Sequence, residues 1–500
     1  MHIVSTLLAS LVVSGALATP HRGRGPRGHD LIARTKAGTF TGFVDPEVPD
    51  VRQWLGVPYG APPVGNQRFL PPKPATHAGN IETTEYKPIC MQNGGPGAGV
   101  FWELVPEFQN TDPQSEDCLY LNIWGPRNTI GRRPRHQKKV PVIIWICGGG
   151  FQEGGGHAPY QVPDHWVQRT QSHIVVTFNY RLSVWGYPGA RAAPVNAGLE
   201  DIRLVVEWLR DNVEAFGGDP EHMILWGQSA GGNAANSYGY ANPEDPIVTG
   251  IVAQSGTAAQ LNGLNTTAFS VLAEQLGCGD LSAEDELSCM QDADNNELHD
   301  IIRNGEGVPR FSPAADNVTV FTNNTARYET DQVAKVPLIV GNTVNEGAAF
   351  ASFELNQTVA PTENETLPAT QRFGCGTETE ADLRVQHGLP TYRYLGAGNF
   401  SNITPRYWLG AMHSSDIPLV FGTHWEFRGN STELEWQTSF SMEGFWVSFA
   451  ADSLKAPMDG LGLTWPEYSS DENMVLFGNE TGPALVVPGD YYDPVFQCDE

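Results

Sequence analysis

The chain is short of positive charge. Thirty Lys and Arg stand against 57 Asp and Glu in 500 residues, a formal net charge of −27. A surface so acidic repels phosphate backbones, which argues against nucleic acid as a partner. Such a field would attract cationic substrates, although solubility alone is a plainer reason for it. The usual metal and nucleotide signatures are also missing. There is no His-Glu-x-x-His, no Cys-x-x-Cys pair and no lysine-bearing glycine loop, so no metal or organic cofactor is expected. His157 and His222 have no partner at metal-ligand spacing and read as structural histidines. No repeat period or low-complexity tract breaks the chain. Beyond the N-terminus no apolar run is long enough to span a bilayer, so stable membrane insertion is not expected.

What is present begins with a short apolar run, Ile3–Val13, followed by small residues at Ala16-Leu-Ala18. The pattern reads as a secretion signal over residues 1–18, and the run is too short for a transmembrane anchor. A flexible basic leader would follow over residues 19–33. Hydrophobic residues make up 40% of the chain and include 13 Trp, 15 Tyr and 22 Phe, enough for a sizeable core. Residues 34–500 are expected to form one α/β domain with inserted loops.

Residues 222–232 are the most informative stretch. The apolar run from His222 to Trp226 leads into Gly227-Gln-Ser229-Ala-Gly231 and then into small residues able to open a helix. At such a strand–turn–helix corner, flanking glycines let backbone pass closely and the serine hydroxyl is lifted out of the sheet. The amide of Ala230 is left free at the helix N-terminus, suited to an anion. The five-letter pattern alone is weak, and three other segments strengthen it. Val140-Pro-Val-Ile-Ile-Trp-Ile-Cys147 is a β-branched run ending in Gly148, Gly149 and Gly150, a loop able to present bare N–H groups. Val336–Thr343 is an apolar strand with the carboxylate of Glu346 just past its end, and His413 lies in the small-residue loop Gly410–Asp416. The order Ser229…Glu346…His413 is that of a triad on an α/β-hydrolase sheet.

In these segments and others the chain resembles the type-B carboxylesterases, a family that also holds the cholinesterases and some fungal lipases. The resemblance is carried by Trp54–Phe69, Ser115-Glu-Asp-Cys-Leu-Tyr-Leu-Asn-Ile-Trp124, Asn179-Tyr-Arg-Leu182, Phe216-Gly-Gly-Asp-Pro220 and Gln254-Ser-Gly256. It implies a large, mostly parallel central sheet flanked by helices. It also implies a secreted serine esterase with Ser229 as nucleophile, His413 as base and Glu346 orienting it. Gly149, Gly150 and Ala230 would supply the oxyanion hole. The ligand would be a small-molecule ester.

The family context also bears on rivals. His424 reads as a surface or packing residue, and Asp316, which competes with Glu346, lacks a preceding apolar strand. Ser255 resembles a core position serving structure. The family usually carries His or Tyr where this chain has Cys147, which reads as a small buried residue behind the oxyanion loop. Cys90–Cys118 and Cys278–Cys289 resemble two family disulfides; Cys375 and Cys498 remain as a third pair, leaving Cys147 unpaired. The Cys90–Cys118 loop carries an aromatic stretch, Val100–Phe108. Trp102 there and Phe350 after Glu346 are pocket candidates, with ordinary loop packing an equal alternative. Nine glycosylation acceptors occur, at Asn265, Asn317, Asn323, Asn356, Asn364, Asn399, Asn402, Asn430 and Asn479, and several are expected to be occupied. A lipase or dedicated natural-product esterase is the alternative function, and a non-catalytic adhesion or binding relative a remote one.

Overall fold

The computed structural model describes residues 29–500 except 77–78, 94–98, 128–138, 262, 264–266, 306, 354–358, 470–472, 493–495, 497 and 499–500. The expected secretion signal and most of the leader lie outside the described residues.

Among the described residues, ten strands form the central sheet. In chain order they are β1 (Val51–Pro58), β2 (Tyr120–Pro126), β3 (Val140–Ile146), β4 (Ile174–Phe178), β5 (Gly218–Gln228), β6 (Gly250–Gln254), β7 (Leu338–Thr343), β8 (Thr391–Gly396), β9 (Met474–Asn479) and β10 (Gly482–Val487). Their spatial order is β10-β9-β8-β7-β6-β5-β3-β4-β2-β1. The stretch from β4 to β9 is parallel throughout. The edges, β1–β2 and β10, are antiparallel. The central strands are nearly continuous apolar runs because helices cover both faces.

Strand alternation divides the core in two. Val142, Ile144 and Ile146 of β3 pack with Leu225 of β5 on one face, together with α1 (Ala197–Asn212) and α2 (Ala230–Ala241) through Val205, Ala234 and Ala235. Ile143 and Trp145 turn to the other face, with Trp226 and Ile339, and meet Phe445, Trp446 and Phe449 of α4 (Glu433–Ala451). Helix α3 (Glu363–Gln386) packs beside β7 and β8. Two cores of this size hold the sheet rigid, and the loops leaving its C-terminal edge inherit that rigidity. Among the described residues no helix is long and apolar enough to cross a membrane.

Three disulfides tie the periphery: Cys90–Cys118, Cys278–Cys289 and Cys375–Cys498, with Cα separations of 4.9, 5.7 and 5.3 Å. Cys147 is free and buried.

Candidate active site

Loops from five neighbouring strands meet at the C-terminal edge of the sheet. β3 runs into Gly148–Gly150, β5 into Ser229, β6 into Ser255, β7 into Glu346, and β8, after a longer excursion, into His413. This is where a doubly wound sheet leaves a crevice.

Ser229 sits at the β5–α2 corner with φ 58° and ψ −123°, a conformation that costs a non-glycine residue about 1–3 kcal/mol. The surroundings hold it there. Its N–H donates to Gln254 O at 2.8 Å, and its carbonyl accepts from Asn233 N at 2.9 Å. A Cβ on Gly227 would lie 2.2 Å from Gly231 O, and one on Gly231 2.1 Å from Ile146 O. Both glycines are therefore required for the corner to close.

The glycine loop is shaped by the same kind of crowding. Gly149 and Gly150 have φ of 108° and 62°. Gly149 O accepts from the amides of Gln152 at 3.0 Å and Glu153 at 3.1 Å, which closes a tight turn. Among the described residues the N–H groups of Gly149, Gly150 and Ala230 have no hydrogen-bond acceptor, and all three residues line the same cavity as Ser229. Unpartnered amides lining one cavity are groups able to hold an anion.

Glu346 is fully buried. Its Oε1 accepts Ser255 Oγ–H at 2.6 Å and Thr343 N–H at 2.7 Å. Its Oε2 accepts from Nδ1 of His413. The bond fixes the tautomer, so that Nε2 of His413 is left as an acceptor. Ser255, assigned to core structure from the sequence, is thus a direct partner of the carboxylate. No hydrogen bond joins Ser229 Oγ to His413 among the described residues. The Gln228 amide instead donates to His413 Nε2 at 3.1 Å. Unliganded sites often tighten only around substrate.

The imidazole lies under two aromatic rings, Phe373 at 4.5 Å and Phe350 at 4.9 Å between centroids. Phe350 is 52% exposed, which places it at the cavity wall and not in the core. Phe373 had no distinguishing context in the sequence. Asp416, buried three residues beyond His413, accepts Tyr394 Oη–H at 3.0 Å. Burial, assisted by the nearby Glu346 carboxylate, pushes its carboxyl up to about 6 against the hydrogen bond from Tyr394.

The cavity holds about 990 Å³. Trp102 lines it and hydrogen-bonds the Glu153 carboxyl, whose ionisation is pushed up by burial. Cys147, next to the glycine loop and among the residues lining the cavity, is buried, which pushes its thiol up to about 12; it is not a thiolate at neutral pH.

The rival residues fall elsewhere. Asp316 accepts the amides of Val318, Thr319 and Val320 and caps a turn. His424 is fully buried, bonded to Ser431 Oγ at 2.6 Å, so the surface alternative is corrected to packing. His157 pairs with Asp112 at 2.5 Å and stacks on Tyr86, and His222 lies 3.2 Å from Asp219. Asp164, His165 and Glu426 bring possible ligand atoms within 4.8 Å of one another, but none of the three lines the cavity.

Of the sequons, Asn317, Asn323, Asn364, Asn399 and Asn430 are exposed and Asn479 is half-buried, while Asn265 and Asn356 lie outside the described residues. Asn402 is a correction to the sequence expectation. Its amide is buried and donates to His424 O at 2.9 Å and Ser431 Oγ at 3.0 Å, which leaves no room for a glycan.

Comparison with known proteins adds to this geometry. The carboxylesterase family model matches residues 29–372 and 365–484. A chlorogenic acid esterase of Aspergillus niger is 42% identical over 504 residues, covering 97% of each chain. Secreted lipase 5 of Gibberella zeae is 38% identical over 511 residues, 94% of this chain and 93% of its own. A fumonisin B1 esterase of Sphingopyxis macrogoltabida is 26% identical over 507 residues, 90% of this chain and 87% of its own.

Proposed function

The chain belongs to the carboxylesterase family, and from that premise we propose that it is a secreted enzyme hydrolysing carboxylic esters through an acyl-enzyme on Ser229. One arrangement supports this above all: a buried Glu346–His413 hydrogen bond opening on the same cavity as Ser229 and three unpartnered amides. A serine hydroxyl is a weak nucleophile at neutral pH. As substrate enters, Gln228 gives up His413 Nε2, which takes the Ser229 proton while Oγ attacks the ester carbonyl carbon. The new alkoxide is held by the N–H groups of Gly149, Gly150 and Ala230. Glu346 stays ionised and stabilises the imidazolium. His413 then delivers the proton to the leaving alcohol as the C–O bond breaks. Water, deprotonated by the same imidazole, attacks the acyl-enzyme and releases the acid and free Ser229. No cofactor enters any step.

Wall aromatics suit an aromatic or aliphatic ester group. Chlorogenic acid and lipid esters are the two substrates to assay first, because relatives carry those names. The lipase reading has its own support in the aromatic stretch Val100–Phe108 against the cavity; a jump in rate at an oil–water interface would favour it, and turnover of short soluble esters alone would not. Ester turnover that disappears in Ser229→Ala, by at least about 10⁴-fold, is the expected result. Turnover persisting in that variant would overturn the proposal, and a folded wild type without any turnover would leave a binding protein. Secretion rests on residues 1–18, the three disulfides and a relative named as secreted. The leader expected over residues 19–33 is shorter at its end, because Ile32–Arg34 pairs with Thr39–Thr41, Ala33 is buried in the core and the family match starts at residue 29; the hydrolase domain on this reading therefore begins by His29.

A further inference from the structure

The charge of the cavity is opposite to that of the molecule. Acidic residues outnumber basic ones 57 to 30 over the chain. Among the described residues that line the cavity, the charged side chains are Arg310, Arg372 and a single carboxyl, Glu153, beside the imidazole of His413. Neither guanidinium takes part in an ion pair among the described residues. Arg310 spends one N–H on Gly150 O at 3.1 Å, which seats it against the glycine loop. Among the described residues the Arg372 side chain makes no hydrogen bond, while its backbone carbonyl accepts Gln260 Nε2–H at 2.9 Å. Burial depresses the ionisation of Arg310 most, the Glu153 carboxylate opposes that, and the nearby Arg372 cation adds a smaller depression. Two guanidinium groups facing a single carboxyl leave the lining with an excess positive charge, which an anion between the two arginines would neutralise. Glu153 can offset only one of the two cations, and burial pushes its pKa up against the pull of Trp102 and Arg310.

We propose that this cavity selects esters whose alcohol part carries a carboxylate, held between Arg372 and Arg310. The side of the ester follows from position. Phe373, the next residue after Arg372 on α3, lies tilted against His413 at 4.5 Å between ring centroids, and His413 is the group that protonates the departing alcohol. A carboxylate reaching Arg372 therefore belongs to the leaving group. Guanidinium groups suit it because their planar N–H forks match a carboxylate's two oxygens. The inference rests on the ester-hydrolase reading above.

The test compares 4-carboxyphenyl acetate with 4-carbamoylphenyl acetate, esters of nearly equal shape that differ in charge. The readout is the ratio of their kcat/KM values in wild type, Arg372→Gln, Arg372→Lys and Arg310→Gln. Removing one charge-assisted contact lowers the ratio by roughly tenfold to a hundredfold in Arg372→Gln. The fall is expected in KM of the charged ester, with Arg372→Lys recovering part of it. Circular dichroism checks the fold, and Arg310→Gln gives an independent second variant. If wild type cleaves both esters and the ratio stays within twofold in both Gln variants, the carboxylate site is overturned while the hydrolase reading stands. If folded wild type cleaves neither ester nor any other, both fall together.

Discussion

Gly149→Ala is the sharpest perturbation of the proposed oxyanion loop. The new Cβ would stand 1.9 Å from the carbonyl oxygen of Glu153, where real contacts are not found below 3.0 Å. That carbonyl is backbone, so the turn itself has to open by about 1 Å. The turn is closed by two hydrogen bonds onto Gly149 O, from Gln152 at 3.0 Å and Glu153 at 3.1 Å, and alanine also resists the φ of 108° at this position. Opening it carries the amides of Gly149 and Gly150 away from the point where the alkoxide forms. Loss of one such donor typically costs about 3–4 kcal/mol, or 10²–10³ in kcat, and a displacement of 1 Å alone can cost about 10². We therefore expect kcat on a soluble aryl ester to fall about 10²–10³-fold with KM changed far less. The assay is steady-state hydrolysis paired with thermal unfolding, to separate chemistry from folding. A folded Gly149→Ala enzyme within threefold of wild-type kcat would refute the assignment of this loop.

Other variants probe the layers behind the nucleophile. Ser255→Ala removes a 2.6 Å hydrogen bond to Glu346, a charge-assisted bond worth about 1.5–3 kcal/mol; we expect roughly a tenfold lower kcat and a lower melting midpoint, and unchanged values of both would show the contact to be idle. Asp416 ionises near 6 in the folded protein instead of 3.8. At about 1.4 kcal/mol per pH unit, wild type loses about 3 kcal/mol of stability as pH rises from 3.8 through 6, having held it in full below 3.8. Asp416→Asn should abolish that slope in urea unfolding followed across this range, and a slope equal to wild type would contradict the cause assigned. Cys147→Ser keeps most activity because the buried thiol has no assigned base, whereas a loss matching that of Ser229→Ala with folding intact would give Cys147 a chemical role.

The parts of the site legible in the sequence are those where backbone crowding dictates residue type. Gly227, Gly231 and Gly149 stand where any Cβ would meet a backbone oxygen, so the elbow and the glycine loop leave a local signature. The apolar runs Val140–Ile146 and Val336–Thr343 mark buried parallel strands for the same local reason, with β7 observed to start at Leu338. What the sequence withheld depends on long-range packing. Phe373 reaches His413 only because α3 lies across the edge of β7, and nothing in its neighbours marks it. Arg310 and Arg372 come from separate loops and helices whose meeting no periodicity encodes. Ser255 showed a family-like context, but its bond to Glu346 spans 91 residues. Asn402 satisfied the glycosylation pattern while folding sealed its amide inside.

The central claim is that Ser229 is the activated nucleophile of an ester hydrolase. Labelling the folded protein with a fluorophosphonate, followed by peptide mass mapping, tests it most directly. One adduct per chain on Ser229, lost in His413→Ala and after denaturation, is the result expected. A natively folded protein that takes no adduct, or takes it on another residue, would contradict the account.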